Sequence, residues 1–573
     1  MKTMPGPQSL SAKLLAKHKL LYNGDCNLFF YQDGLYDKRG LPRSIHTFIN
    51  LIARNGVDTF LCNPNGSIAR YPSKVVATNL DGYQRGDMKR FKVADPIPQT
   101  GHAAEYLVAM TDRYLDLVEK KIDWLREVTK ACQTNRIAPW LSIRMNDMHG
   151  WADLNHHHHN NPILKNPKMR LSGRSFFPGR KFDPPWANGM NYGRKEVRDY
   201  MFSMIRELVE AYDFEGIELD YTRAPHILEP VANDAGTRLM TDWIASIRAL
   251  TASKSKQTGK PYPLGLRTPV NLTLMKEKGL DIKTLAQEHI IDFSSFDHFL
   301  QTSWDTPFDS LRDDLGDLTL YGGIEMQPSG LGVYDRKTKM VFKRQMSSFA
   351  PLLYGGAACK YALKADGLEL FNFFCGDTPT HIGEYKALRN LASVERLRGR
   401  EKNYALNTND GSTVSALPCI IPSGRRHDFR LPMLSEPARW KAEVVIQVIY
   451  EKKTANELIG VGFNGSHPNF VSVISDCYFY KGSTYAHDER QPPKSDLTLL
   501  QPEHQSRLFY FNSDLIREGW NSVEVYYGDW ENPGPNCLVM VGLEMAVKKV
   551  SGQSKAVPKS VKVKRRQKIA HLG

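Results

Sequence analysis

The run RKEVRDYMFSMIRELVEAYDFEGIELDYTRAP (194–225) holds one helix and one strand in immediate succession. Val197, Met201, Met204, Leu208 and Tyr212 recur at helical spacing. FEGIELDYTR (214–223) then reads as a short strand with Glu218, Asp220 and Thr222 on one face. A helix returning directly into such a strand is the repeating unit of a parallel sheet.

Working outward, the same alternation runs from about residue 24 to 395. Candidate strands are NLFFYQDG (27–34), VDTFLCNP (57–64), APWLSIRMND (138–147), the quoted 214–223, LGLRTPV (264–270), IDFSSFDHFL (291–300), LTLYGGIEM (318–326) and GLELFNFF (367–374). Helices are expected over 42–54, 103–130, 236–253, 338–354 and 382–394. Eight strands with interleaved helices predict a (β/α)8 barrel in the α/β class. A doubly wound open sheet would place a Gly-rich phosphate loop after its first strand, and none is present.

Beyond residue 400 the chain changes character. RWKAEVVIQVIYE, NELIGVGFNG, RLFYFNSDLI, WNSVEVYYGDW and CLVMVGLEMAV are β-rich runs separated by turn residues, which predicts an antiparallel β-sandwich. The expected organisation is an N-terminal extension (1–23), a barrel (24–398), a sandwich (399–547) and a basic tail (548–573).

Barrel enzymes work at the C-terminal ends of their strands. Those ends carry Asp33, Asn63 and Asn65, then Arg144, Asn146 and Asp147, and then Glu218, Asp220 and Arg267. Asp297, His298, Glu325 and Asn372 complete the rim. Two carboxyl groups across a barrel mouth suit glycoside cleavage, in which one protonates the leaving oxygen and the other attacks or activates water. Asp220 on strand four and Glu325 on strand seven are the catalytic candidates, with Asp220 as acid/base and Glu325 as nucleophile or the reverse. Glu218 would sit one layer deeper, with Arg144 as a candidate partner.

FEGIELDYTRAP resembles the fourth-strand signature of glycosyl-hydrolase-like TIM-barrel families, matched by Glu215, Gly216, Ile217, Asp220, Tyr221, Arg223 and Pro225. It is also similar to the chitinase-type DGxDxDxE motif, but Thr222 stands where that motif ends in its proton donor. YGGIE, ending in Glu325, is similar to the strand-seven end that holds the nucleophile in many retaining glycosidases. The resemblance implies glycosidic hydrolysis on a TIM barrel and leaves the substrate open.

Long segments 65–102 and 148–193 follow strands and are expected to wall the cleft. Arg144, Asn146, Asp147, His149, Arg223, Arg267 and Asp297 supply candidate hydroxyl and carboxylate contacts. Trp151, Trp186, Tyr192 and Trp304 are candidate sugar platforms, with ordinary loop packing as the alternative. Arg174, Arg180 and Lys181 fit either a sulfated or uronate sugar or a solvated basic loop. Four consecutive histidines (156–159) lack metal-ligand spacing, so no metal or other cofactor is expected. The rival readings are a non-catalytic carbohydrate-binding protein and a metal-dependent hydrolase or lyase using this loop.

Eight dispersed cysteines form no CxxC pair, which suggests reduced structural thiols. The net charge of +14 is concentrated in the tail, whose nine Lys/Arg from Lys548 leave about +5 elsewhere. That distribution argues against nucleic acid as the principal partner. No run is long and apolar enough for a membrane span, and the first thirty residues lack a secretory pattern, so a cytoplasmic location is expected.

Overall fold

In a computed structural model of the chain, eight parallel strands close into a barrel in strict sequence order. They are β1 (Leu20–Gly24), β2 (Thr59–Cys62), β3 (Ala138–Arg144), β4 (Ile217–Asp220), β5 (Leu264–Thr268), β6 (Phe293–Phe296), β7 (Thr319–Ile324) and β8 (Gly367–Phe371). The structure describes residues 14–25, 28–31, 41–91, 104–147, 161–171, 189–222, 225–229, 233–329, 331–337, 339–342, 344, 346, 350–371, 373, 379–406, 416–474, 497–498 and 500–550.

Seven strands fall within the expected runs; the first does not. Residues Leu28–Tyr31 form a helical turn, and β1 is the earlier LLYNG, every residue of which is buried. Phe29 and Phe30 sit edge-on to Trp124 inside the core. A short apolar run fits a buried helical turn as well as a strand, so periodicity alone misplaces it. The expected helix 103–130 is two, Ala104–Glu119 and Trp124–Asn135, divided where Lys121 adopts φ 56° and Asp123 caps the Leu125 amide. Within 338–354 the chain completes a hairpin, Val333–Asp335 with Met340–Phe342, before the helix Ala350–Ala362 begins. Residues Pro379–Asn390 form a 3-10 helix, within which the expected segment 382–394 largely falls.

The two ends of the barrel differ in chemistry. At the N-terminal end Asp58, Asp292 and Asp366, each immediately before an even-numbered strand, accept amides at the start of the preceding strands. These are Leu20 N (3.0 Å), Leu264 N (2.9 Å) and Leu320 N (2.8 Å). Above them lies an aromatic layer in which Trp140, Phe293 and Tyr321 lie over Gly216, Gly265 and Gly367, where an added Cβ would meet the rings at 3.0, 2.3 and 2.8 Å. That alternation of large and small fills the interior and closes it from below.

The C-terminal part forms a β-sandwich. One sheet runs Lys402–Ala405, Cys537–Lys549, Ala442–Glu451, His504–Asn512 and Phe470–Ile474, with Cys419–Pro422 also paired to Cys537–Lys549. The other runs Arg425–Met433, Gly519–Tyr527 and Ile459–Phe463. It is joined closely to the barrel. The segment after β7 is tied down by Arg344, whose buried guanidinium reaches Glu544 of the sandwich at 2.7 and 3.2 Å. Leu497–Thr498 adds a third strand to the 333–342 hairpin. Helix Ala350–Ala362 lies against Lys402–Ala405 so closely that a Cβ on Gly355 would stand 1.9 Å from the Asn403 carbonyl oxygen. Gly355→Ala is therefore expected to cost about 1–3 kcal/mol through overpacking, read as a lowered urea midpoint.

No described helix is long and apolar enough to cross a membrane. Of the described cysteines, Cys62, Cys132 and Cys359 are buried, and Cys419 and Cys537 are half-buried.

Candidate active site

Above the aromatic layer the barrel interior turns polar. Alternation carries Asn23, Ser142, Glu218 and Glu369 into one level and Arg144, Asp220 and Arg267 into the next, toward the C-terminal end. All seven are buried.

Arg267 is the hub of the upper level. Its Nη1 contacts Asp220 at 3.2 Å, its Nη2 is hydrogen-bonded to Glu325, and its Nε faces Glu369 at 3.3 Å. The guanidinium lies over the Phe371 ring, 3.9 Å from its centroid. β5 thus sends one cation across the interior to carboxyl groups from β4, β8 and the end of β7. Burial opposes the charge on Arg267, but Asp220, Glu325 and Glu369 outweigh it and raise its pKa.

One cation cannot neutralise so many acids, so some carboxyls keep their protons. In the lower level Asn23 Nδ2 faces Glu369 Oε1 (2.9 Å), Ser142 Oγ (3.0 Å) and Glu218 Oε1 (3.1 Å). Ser142 donates to Glu218 at 2.8 Å. Asn23 thus bridges the two buried carboxyls Glu218 and Glu369. Burial, and then the neighbouring Glu369, push the Glu218 pKa well above the carboxylate range. Glu325 is raised as well, by burial first and by Asp297 against the opposing pull of Arg267. Asp220 accepts the Thr222 amide at 2.9 Å.

The sequence YGGIE makes room for this arrangement. A Cβ on Gly323 would come within 2.4 Å of Asp297, and one on Gly322 within 2.5 Å of the Lys360 stem. The two glycines clear opposite faces of β7. Asp297 is fully buried and accepts His298 N at 2.9 Å and Ser303 N at 3.3 Å. Burial pushes its pKa up to about 6 against Lys360 and Arg267.

The structure brings Asp220, Glu325, Glu218, Arg267 and Asp297 together. It gives Arg144 different partners from the expected one: Asp25 at 2.7 Å and Asp147 at 2.9 Å. The register sets Arg144 beside Asp220 and Ser142 beside Glu218, one level lower. Asn146 donates to His226 O and accepts from Met190 N, both at 2.9 Å, and so fastens two loops. Trp304 is not exposed to a cleft; it is completely buried, donates Nε1 to Pro328 O at 2.6 Å and meets Tyr404 of the sandwich edge-on. Tyr192 is likewise enclosed, against Trp243. Bulky aromatics bury readily, and here the barrel–sandwich joint and the helical layer take them. His149, Arg223, Trp151, Trp186, the histidines 156–159, Asp33, Asn372, Arg174, Arg180 and Lys181 lie outside the described residues.

Sequence reasoning missed Glu369, Asn23 and Lys360. Glu369 stands alone between Leu368 and Leu370 in a strand otherwise apolar, the same signal that marks Glu218. Asn23 was hidden by the misplaced first strand. Lys360 carries no local signal beyond a charge in the apolar helix AACKYA. Among the described residues no group of His, Cys, Asp and Glu has the arrangement of a metal site.

No protein-family model matches the chain, and no curated protein matches it in sequence. Among solved structures it is similar to a cycloisomaltooligosaccharide glucanotransferase from Paenibacillus sp., at 7% identity and a TM-score of 0.32. That match covers 92% of this chain but 57% of the other, little more than half its length. The glycoside hydrolase domain of PgaB (BpsB) from Bordetella bronchiseptica is similar at 9% identity and TM-score 0.38, over 66% of this chain and 99% of that one. An Anoxybacillus alpha-amylase is similar at 12% identity and TM-score 0.36, over 90% and 99%. At these values the likeness carries no argument for this chain.

Proposed function

We propose that the barrel hydrolyses glycosidic bonds with Glu325 and Asp220 as its carboxyl pair. The observation that carries this reading is their meeting, from β4 and β7, on adjacent nitrogens of the Arg267 guanidinium at the C-terminal end of the barrel. Glycoside cleavage needs one carboxyl that holds a proton and one that is a base or nucleophile. Glu325 suits the acid: its pKa is raised, and its Oε2 is buried with no hydrogen-bond partner among the described residues. Asp220, which accepts from Thr222 N and from Arg267, suits the base or nucleophile. Arg267 would steady the negative charge of the pair and exclude a second free proton from it.

The test is hydrolysis by the full chain across neutral, sulfated and uronate-containing glycans, with Glu325→Gln as control. The anomer released first, followed by proton NMR, separates a nucleophilic Asp220 from one that activates water.

A pH dependence follows from Glu325. An acid whose pKa is raised stays protonated to higher pH, so turnover should persist above the ordinary carboxylate range. It should fall as pH rises through the Glu325 pKa. A kcat/KM profile checks this, and an alkaline limb at the value of an ordinary exposed glutamate would contradict the assignment.

A second reading has an observation in its favour. The side chains of Asp220, Arg267 and Glu325 are each 0% exposed, and the cation lies between the two acids. A structural plug closing the barrel mouth of a non-catalytic protein would look the same. The two readings part on Glu325→Gln: a plug has no turnover to lose, whereas an enzyme loses it and still binds its glycan.

A further inference from the structure

We propose that Asp297, seated in the notch that Gly323 leaves in β7, is a positioning residue that governs whether Glu325 carries its proton. The inference deepens the reading of Glu325 as proton donor and rests on it. It gives Asp297 a role through another side chain, in place of the substrate contact expected from sequence.

The geometry fixes the two acids relative to one another. Gly323 is two residues before Glu325 on the same face of β7, and an added Cβ there would lie 2.4 Å from both Cβ and Oδ2 of Asp297. Asp297 therefore occupies the level directly beneath Glu325. The chain after β6 then holds both: Thr302 Oγ1 donates to the Glu325 carbonyl at 3.0 Å, and the next residue, Ser303, donates its amide to Asp297 Oδ1 at 3.3 Å. Lys360 stands behind this turn, bonded to the Ser303 carbonyl and to Thr306 Oγ1 (3.3 Å).

The charges around the pair decide which acid holds the proton. Asp297 faces Lys360 from the helix and Arg267 from β5, and it accepts two backbone amides; both conditions favour its anion. Its Oδ2 is buried with no hydrogen-bond partner among the described residues. Glu325 faces Arg267, but also Asp297 and Asp220. Two neighbouring buried carboxyls do not both ionise readily. With Asp297 anionic, Glu325 is the group that stays protonated. The double glycine of YGGIE is then part of the device: Gly323 admits the carboxylate and Gly322 admits the lysine stem from the other face.

The experiment uses the full chain and Asp297→Asn, which keeps the shape and both amide contacts but removes the charge. The protonation of Glu325 is followed by infrared titration of its buried carboxyl C=O stretch, assigned by its loss in Glu325→Gln. The kcat/KM profile is recorded beside it. In Asp297→Asn the Glu325 midpoint and the alkaline limb should both move down by at least about one pH unit, with KM unchanged. An unmoved midpoint, or a raised KM with an unmoved limb, overturns the proposal. If the wild-type chain hydrolyses no glycan, the proton-donor reading falls, while the infrared midpoint still decides the coupling. If Asp297→Asn does not fold, Gly323→Ala, which displaces Asp297 from its notch, must lower the same midpoint or the proposal fails.

Discussion

Arg267→Met is expected to destabilise the protein by about 3–5 kcal/mol at neutral pH, because it strips the cation from Asp220, Glu325 and Glu369 while leaving them buried. Equilibrium urea unfolding would read the loss. The deficit should shrink in acid. Without the guanidinium, which holds the Glu325 pKa down, that raised value rises further above its unfolded one, so folding takes up a proton there. The stability of the variant is then greatest at low pH and falls as pH rises through the shifted value. Arg267→Lys should recover only part of the loss, since one ammonium cannot present the planar fork that serves acids from three strands. A variant melting with the wild type at pH 7 would mean that the acids are held by something other than this cation.

Glu325→Gln and Asp220→Asn are expected to act in the opposite sense. Each should lower turnover by about 100- to 10,000-fold if the pair performs the proposed hydrolysis. Neither should lower the melting midpoint, because each removes one acid from a cluster holding more carboxyls than a single arginine can neutralise. Stability kept or gained as activity disappears is the behaviour of a site built against its own stability. The catalytic reading and the plug share this stability outcome and part on turnover alone, which only an enzyme can lose. Thermal unfolding and a glycan hydrolysis assay on the same preparations give both readings.

The barrel was legible because its signal is local and repeated. Ile217–Asp220 and its seven counterparts are short apolar strands, and most are preceded by helices whose buried faces recur at helical spacing, as in Lys195–Ala211. The exception, β1, precedes a second apolar turn, Leu28–Tyr31, that competes for the same reading. In the sandwich five strands were readable. Lys402–Ala405 and Cys419–Pro422 were not, being too short to carry alternation, nor were Arg425–Met433 and Phe470–Ile474, which lie at sheet edges.

The candidate site was legible in its types and much less so in its pairings. Glu218, Asp220, Arg267, Asp297 and Glu325 announce themselves as polar residues at the ends of apolar strands. That Arg144 belongs to Asp25 and Asp147 while Arg267 belongs to three acids depends on the stagger between strands, to which no local pattern is sensitive.

By itself the sequence determined a closed parallel barrel with a β-sandwich behind it, because hydrophobic periodicity is written residue by residue and needs no distant partner. Only the tertiary structure decided that one buried guanidinium joins Asp220, Glu325 and Glu369, that Trp304 serves the joint between barrel and sandwich, and that Gly323 exists to admit Asp297. Those outcomes depend on where charges remote in sequence stand once water is excluded. In that setting each carboxyl must find a cation, a hydrogen bond or a proton, and which it finds is fixed by closure of the barrel.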